Sequence, residues 1–176
     1  MTQKSNHSKY WGVAVILLIL AILIDQGTKY LAVTHLKDQA PFIIWKNVFQ
    51  LRYLENNGAA FGILQNKQWF FVLGALIITA FVCYFYHKLP FTRRYLPLRV
   101  CMVLLVSGAL GNVIDRVMHR YVVDFFYFEW IDFPIFNVAD IYVVVSCILF
   151  LLLIFFYYKE EDFAFLTEQE QKNDNT

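Results

Sequence analysis

The sequence predicts an all-α membrane protein: a bundle of four transmembrane helices with a small β-containing segment on the outer face. Three observations carry that prediction. The 176-residue chain is 59% hydrophobic, with a mean hydropathy of +0.50, too apolar for a soluble domain, where roughly half would be usual. Four apolar runs hold no charge: Tyr10–Ile24, Trp69–Tyr86, Val100–Ile114 and Ile141–Tyr158. The stretches flanking the second and third runs on their outer side are β-branched and aromatic instead.

Crossing a hydrocarbon core of about 30 Å takes roughly 20 helical residues, with about 17 as the lower limit. The second and fourth runs reach that limit unaided. The first and third rise only about 22 Å as helices, so each must carry polar residues into the membrane. The candidates lie at their C-terminal ends: Asp25 and Lys29 on the first, Asn112, Asp115 and Arg116 on the third. The spans expected are about 10–33, 69–86, 96–116 and 138–158, within one domain over 1–166. Lys4 and Lys9 precede the first run as in a signal peptide, but no small-x-small site follows it directly and three spans do. A retained signal-anchor is expected.

Between the first two spans, residues 42–55 partly alternate apolar and polar, as a half-buried strand or hairpin would. Asn56-Asn-Gly-Ala-Ala-Phe-Gly62 mixes turn formers with small residues. It is either a tight turn into the second span or a place where Gly58 and its neighbours let a substrate backbone come close. Lys88, Arg93, Arg94 and Arg99 crowd the link between spans two and three, which places that link in the cytoplasm. Lys37, Lys46, Arg52 and Lys67 are spread over a much longer segment. Both termini then lie in the cytoplasm, and Asp25, Lys29, Asn112, Arg116 and Asp140 share one depth at the outer face. The inner face has no comparable layer in the sequence. Tyr121–Trp130 reads as an extended segment, Trp45, Trp69 and Trp130 fit an interfacial belt, and the polar tail over 167–176 is expected to be disordered.

Several function classes drop out. A net charge of +1 gives no basic face for nucleic acid. Cys83, Cys101 and Cys147 lie inside apolar runs without a CxxC pair and read as small core residues. His35 and His119 lack metal-ligand spacing. Ser107 sits mid-membrane with no base at its depth. Neither a metal nor a cofactor is expected.

The chemistry-bearing candidates are acids. Asp140, in Asn137-Val-Ala-Asp140, has the spacing of a helix start capped by Asn137, which does not exclude a second role. Asp124 interrupts Tyr121-Val-Val-Asp124-Phe-Phe-Tyr-Phe without any capping pattern; it is either a lone headgroup-level acid or half of a pair. Two close carboxylates cannot both ionise easily, so one can take a proton from water while the other donates one. Ser107, Gly108, Gly111 and Asn112 offer close helix approach. Asn112 and Arg116 share a helix face, either for packing and snorkelling or toward the polar layer. Asp25 and Lys29 read as an i, i+4 ion pair. A small transporter or channel subunit using the Asp/Arg layer as a path is the alternative, but such a protein would carry charges at several depths.

Four blocks in order resemble the bacterial lipoprotein signal peptidase (signal peptidase II) family: Asp25-Gln-Gly-Thr-Lys29; Asn56-Asn-Gly-Ala-Ala-Phe61; Gly108-Ala-Leu-Gly-Asn-Val-Ile-Asp-Arg116 with Val122-Val-Asp-Phe125; and Phe136-Asn-Val-Ala-Asp140. The resemblance implies a membrane aspartic endopeptidase of the bacterial cytoplasmic (inner) membrane, with its active site near the periplasmic face. Such an enzyme removes the signal peptide from diacylglyceryl-modified prolipoproteins, just before the lipidated cysteine. Asp124 and Asp140 then correspond to the catalytic pair, Asn56, Gly58, Asn112, Arg116 and Asn137 to the polar residues around it, and Asp25 and Lys29 to supporting positions. The partners expected are prolipoprotein substrates and membrane lipids, with no nucleic acid and the chain acting as a monomer. One departure stands out: where many relatives have a glycine before the valine pair, this chain reads Met118-His-Arg-Tyr121.

Overall fold

The computed structural model describes residues 2–58 and 67–164. The polar tail and residues 59–61 of the second block lie outside them. Four helices are long and apolar enough to cross a membrane: Ser8–Leu36, Gln68–Lys88, Arg93–His119 and Val138–Tyr157. They correspond to α1 (Thr2–Leu36), α2 (Gln68–Lys88), α3 (Leu96–His119) and α4 (Val138–Leu152), which a π turn continues over Leu153–Tyr157. Helix is what lipid demands, because no water is there to take up free backbone groups. The two short apolar runs reach full length as expected: α1 carries Asp25 and Lys29 inward, and α3 carries Asp115 and Arg116.

α3 is the central helix and touches the other three. Its small residues make that possible. A Cβ on Gly108 would collide with the Ala139 carbonyl oxygen and lie 2.8 Å from Val143 Cγ2; on Gly111 it would lie 2.6 Å from the Asp25 carboxylate. The outward faces are large and apolar, including Leu23, Phe81, Ile148 and Phe156, all exposed and suited to lipid.

Between α1 and α2 runs a hairpin of β1 (Phe42–Trp45) and β2 (Phe49–Asn56), turning through Asn47 at φ 58°. β3 (Val122–Phe128) pairs antiparallel with β2, giving a sheet in the order β1-β2-β3. Asp124, in the segment expected to be extended, sits in a strand opposite Leu54. Side chains alternate across β3 with a period of two. Val123 and Phe125 pack with Ala32 of α1, while Val122 and Asp124 face the other way, into a cleft. Just before α4, Phe136 exchanges backbone hydrogen bonds with Phe126 at 2.8 and 3.0 Å, which docks the start of α4 beside β3. The hairpin contributes little to the cleft. Of its residues only Asn56 lines that space, and all four residues of β1 are exposed.

Two expectations are corrected. The end expected to be the inner one has a buried cation of its own: Arg99 is 2% exposed, hydrogen-bonded to the carbonyls of Tyr86 (3.1 Å) and Leu89 (2.8 Å) and stacked near Tyr86 and Phe91. It caps the end of α2 instead of standing in solvent, because the carbonyls there lack helical partners. Of the three cysteines, only Cys101 is buried, while Cys83 and Cys147 face outward; a thiol is apolar enough to sit on a lipid-facing surface.

Candidate active site

Asp124 is 1% exposed. Asn56 Nδ2 donates to its Oδ2 at 2.8 Å and Asn137 Nδ2 donates to its Oδ1 at 2.7 Å. Asn56 reaches it diagonally, since Asn56 opposes Val122 and Leu54 opposes Asp124 on the paired strand. Burial first, then the charge of nearby Asp140, push the Asp124 carboxyl up to about 7, against the lowering effects of the two asparagines and Lys29. The proton is therefore held far above the ordinary carboxylate range.

Asp140 stands at the third position of α4 in a capping box. Its backbone N–H donates to Asn137 Oδ1 and its Oδ2 accepts the Asn137 N–H, both at 3.0 Å. The helix cap read from sequence is present, and it leaves Oδ1 facing Asn112 Nδ2 at 2.8 Å. Asn137 therefore bonds both carboxylates: its side-chain amide donates to Asp124 while its backbone N–H and Oδ1 hold Asp140. Local capping geometry has placed the second acid beside the first.

Behind this pair lies a charged cluster. Lys29 Nζ donates to Asp25 Oδ2 (2.9 Å), Asp115 Oδ2 (3.0 Å) and Asn112 Oδ1 (3.0 Å), so its three hydrogens each have an acceptor. Because Lys29 can only donate, it fixes the Asn112 oxygen toward itself and the Asn112 amide hydrogens toward Asp140. Asp25, Lys29 and Asp115 are all at most 3% exposed. Stranding one partner of such a buried cluster costs about 3–5 kcal/mol. The ion pair expected between Asp25 and Lys29 is thus one side of a cluster joining α1 to α3.

The cleft measures about 540 Å³. Asn56, Gly58, Asn112, Arg116, Asp124 and Asp140 supply its polar wall, and Phe71, Ile141 and Val144 belong to its apolar one, a mixture usual for ligand sites. Arg116 does not snorkel: it donates to Gly58 O at 3.1 Å and stacks 4.7 Å from the Phe71 ring. Of the residues singled out in the sequence, Asn137, Asp25 and Lys29 stand behind the wall. Asp115 and Gln26 are part of the same arrangement but had been given no role. Asp115 was visible as a polar residue one helical turn beyond Gly111, on the face that meets α1, whereas Gln26 had no signal beyond its place next to Asp25.

A multi-pass membrane protein with two linked carboxylates opening on a cleft at one end of its bundle is the class these features define. The family described as signal peptidase (SPase) II matches residues 17–156, and the chain belongs to that family. It is 44% identical over 135 residues to the lipoprotein signal peptidase of Clostridioides difficile (strain 630), an alignment covering 76% of this chain and 88% of that protein. Identity to the lipoprotein signal peptidase of Streptococcus pyogenes serotype M5 (strain Manfredo) is 41% over 137 residues, covering 77% and 88%. Two solved structures, each described as a bacterial membrane enzyme studied by the in meso method, at 2.3 and 1.9 Å, share 34% identity with the chain. Their TM-scores are 0.72 and 0.70, over 85% and 84% of this chain and 93% and 95% of theirs.

Proposed function

We propose that this chain is a membrane-embedded aspartic endopeptidase that removes the signal peptide from diacylglyceryl-modified prolipoproteins, cleaving before the lipidated cysteine. One observation carries the reading: Asn137 bonds both Asp124 and Asp140, and both line one cleft. Asp124, buried and pushed up to about 7, holds the proton. Asp140 takes a proton from water as the water oxygen attacks the amide carbon, and Asp124 protonates the carbonyl oxygen as charge develops there. Collapse of the adduct returns a proton to Asp124, Asp140 protonates the leaving nitrogen, and the C–N bond breaks. The two acyl chains of such a substrate hold its scissile bond at the membrane surface, the depth of this cleft. Arg116 and Asn56, in the polar wall, supply N–H groups to substrate backbone or headgroup oxygens.

The transporter reading is not favoured. Among the described residues, the buried charged side chains fall at the two ends of the bundle, Asp25, Lys29, Asp115 and Asp124 at one and Arg99 at the other. Ser107 and Ser146 between them bond carbonyls of their own helices. The proposal is tested with purified D124N and D140N enzymes and a lipidated prolipoprotein in detergent, following the mass of the mature product. An asparagine oxygen at position 140 can still accept the Asn137 N–H of the capping box, so folded protein with cleavage lowered at least about 1,000-fold is expected, in line with loss of a general acid or base. Near-full cleavage by either variant would rule the dyad out.

A further inference from the structure

We infer that Asp115 is a positioning residue that holds Asp124 in place, as the counterpart of Asp25, which holds Asp140. The inference rests on the dyad reading above. Its basis is a symmetry in the backbone contacts of the charged cluster. Asp25 Oδ1 accepts the N–H of Ala139 at 2.9 Å, the residue immediately before Asp140. Asp115 Oδ2 accepts the N–H of Val123 at 3.1 Å, the residue immediately before Asp124. Lys29 sits between the two acids and bonds both. Each acid of the cluster therefore grips the backbone N–H of the residue just before one acid of the pair, and a single ammonium sets the spacing between the grips.

On the α4 side, Asn137 Nδ2 reaches the Val123 carbonyl at 3.3 Å and Phe136 O accepts the Phe125 N–H at 3.0 Å; among the described residues, Asp115 is the side chain that takes the Val123 N–H. Position 123 falls where β2 and β3 pair, opposite Glu55, beyond a register shift between Leu51 and Leu54. Regular ladder bonding is disturbed by such a shift, so the strand needs a fixed point on the helix side. Asp115 supplies it from α3, and its other oxygen is held by Gln26 Nε2 at 2.9 Å. Gln26 also donates to Asp25 Oδ2 (3.1 Å) and to Gly111 O (3.2 Å). Asp115 does not line the cleft, so its effect on the reaction passes through the geometry of Asp124. A misplacement of about 1 Å at a reacting group costs about 100-fold in rate.

The test compares D115N, Q26M and D124N as full-length purified enzymes, measuring kcat and KM for a lipidated prolipoprotein alongside apparent Tm. In D115N one acceptor becomes a donor facing Gln26 or Lys29, and the charge that binds Lys29 is lost in either orientation, so the side chain that grips Val123 is held less firmly. Expected are kcat lowered by about 10- to 100-fold with KM within about twofold, since no substrate contact changes. Q26M removes one support and no charge; a smaller kcat loss at constant KM is expected. If D115N folds and keeps wild-type kcat, or if its loss appears in KM instead, the positioning role is wrong. Should D115N fail to fold, Q26M decides: a folded Q26M with unchanged kcat overturns the inference. D124N separates the two levels. A cleaving D124N sinks the dyad itself, whereas an inactive D124N beside a fully active D115N sinks only the positioning role.

Discussion

Asp124 and Asp140 share a wall of the cleft but differ in surroundings. Asp124 is almost fully enclosed, and both its oxygens already accept amide hydrogens. Its carboxyl is pushed up to about 7 by burial and by Asp140. The sign of the resulting pH dependence follows directly. A reaction that needs one proton on the pair loses its active form as pH rises through the upper ionisation. The kcat/KM profile, which reports the free enzyme, should therefore turn down near pH 7 and fall about tenfold per unit beyond it. Stability moves in the same direction: an acid whose folded pKa is raised stabilises the fold fully below about pH 4, its unfolded value, and loses that contribution as pH rises through about 7. A profile flat to pH 9 with the lipidated substrate would remove Asp124 as proton donor.

The junction from α3 into β3 shows how one residue sets the relation between two elements. α3 ends at Arg120, whose φ of 68° is left-handed and whose N–H closes onto Arg116 O. A side-chain-bearing residue held in that conformation costs about 1–2 kcal/mol, which glycine avoids. Some of the gain is offset, because glycine loses more freedom on folding. Arg120→Gly is expected to raise the apparent Tm by about 2–4 °C without changing turnover; a lowered Tm in detergent would show that the Arg120 side chain contributes more than its backbone strain costs. Elements of this kind were legible in the sequence where the signal was local. The Asn137–Asp140 cap, the hairpin in 42–55 and the extended segment around Asp124 all have short-range patterns. Asp115 had only its place among the polar residues closing the third run: its partners, Lys29 on α1 and Val123 on β3, are brought to it by helix packing through Gly111. Arg99 misled for the related reason that a charge count cannot tell a solvated arginine from one folded back onto helix-end carbonyls.

Over the whole molecule, the two ends of the bundle are built for different tasks. At one end the cluster of Asp25, Lys29 and Asp115 ties α1, α3, α4 and β3 together, and exposed Trp45, Trp69 and Trp130 lie around it. At the other, Arg99 fastens the α2–α3 link, and Arg94 pairs with Asp162 at 2.8 Å and stacks 4.1 Å from the Tyr157 ring. Internal bonding does not remove the charge of these arginines, and Asp162 counts little in setting orientation, because basic residues near the span ends dominate. With Lys88 half-buried and Arg93 exposed beside them, the link should stay in the cytoplasm and the cleft should face outward. Single cysteines placed at exposed Thr92 and Lys46, in a background lacking Cys83, Cys101 and Cys147, test this in intact cells. A membrane-impermeant maleimide should label the Lys46→Cys protein from outside and the Thr92→Cys protein only after the membrane is opened. The reverse pattern would turn the bundle over and put the cleft on the wrong side for a substrate translocated before it is cleaved.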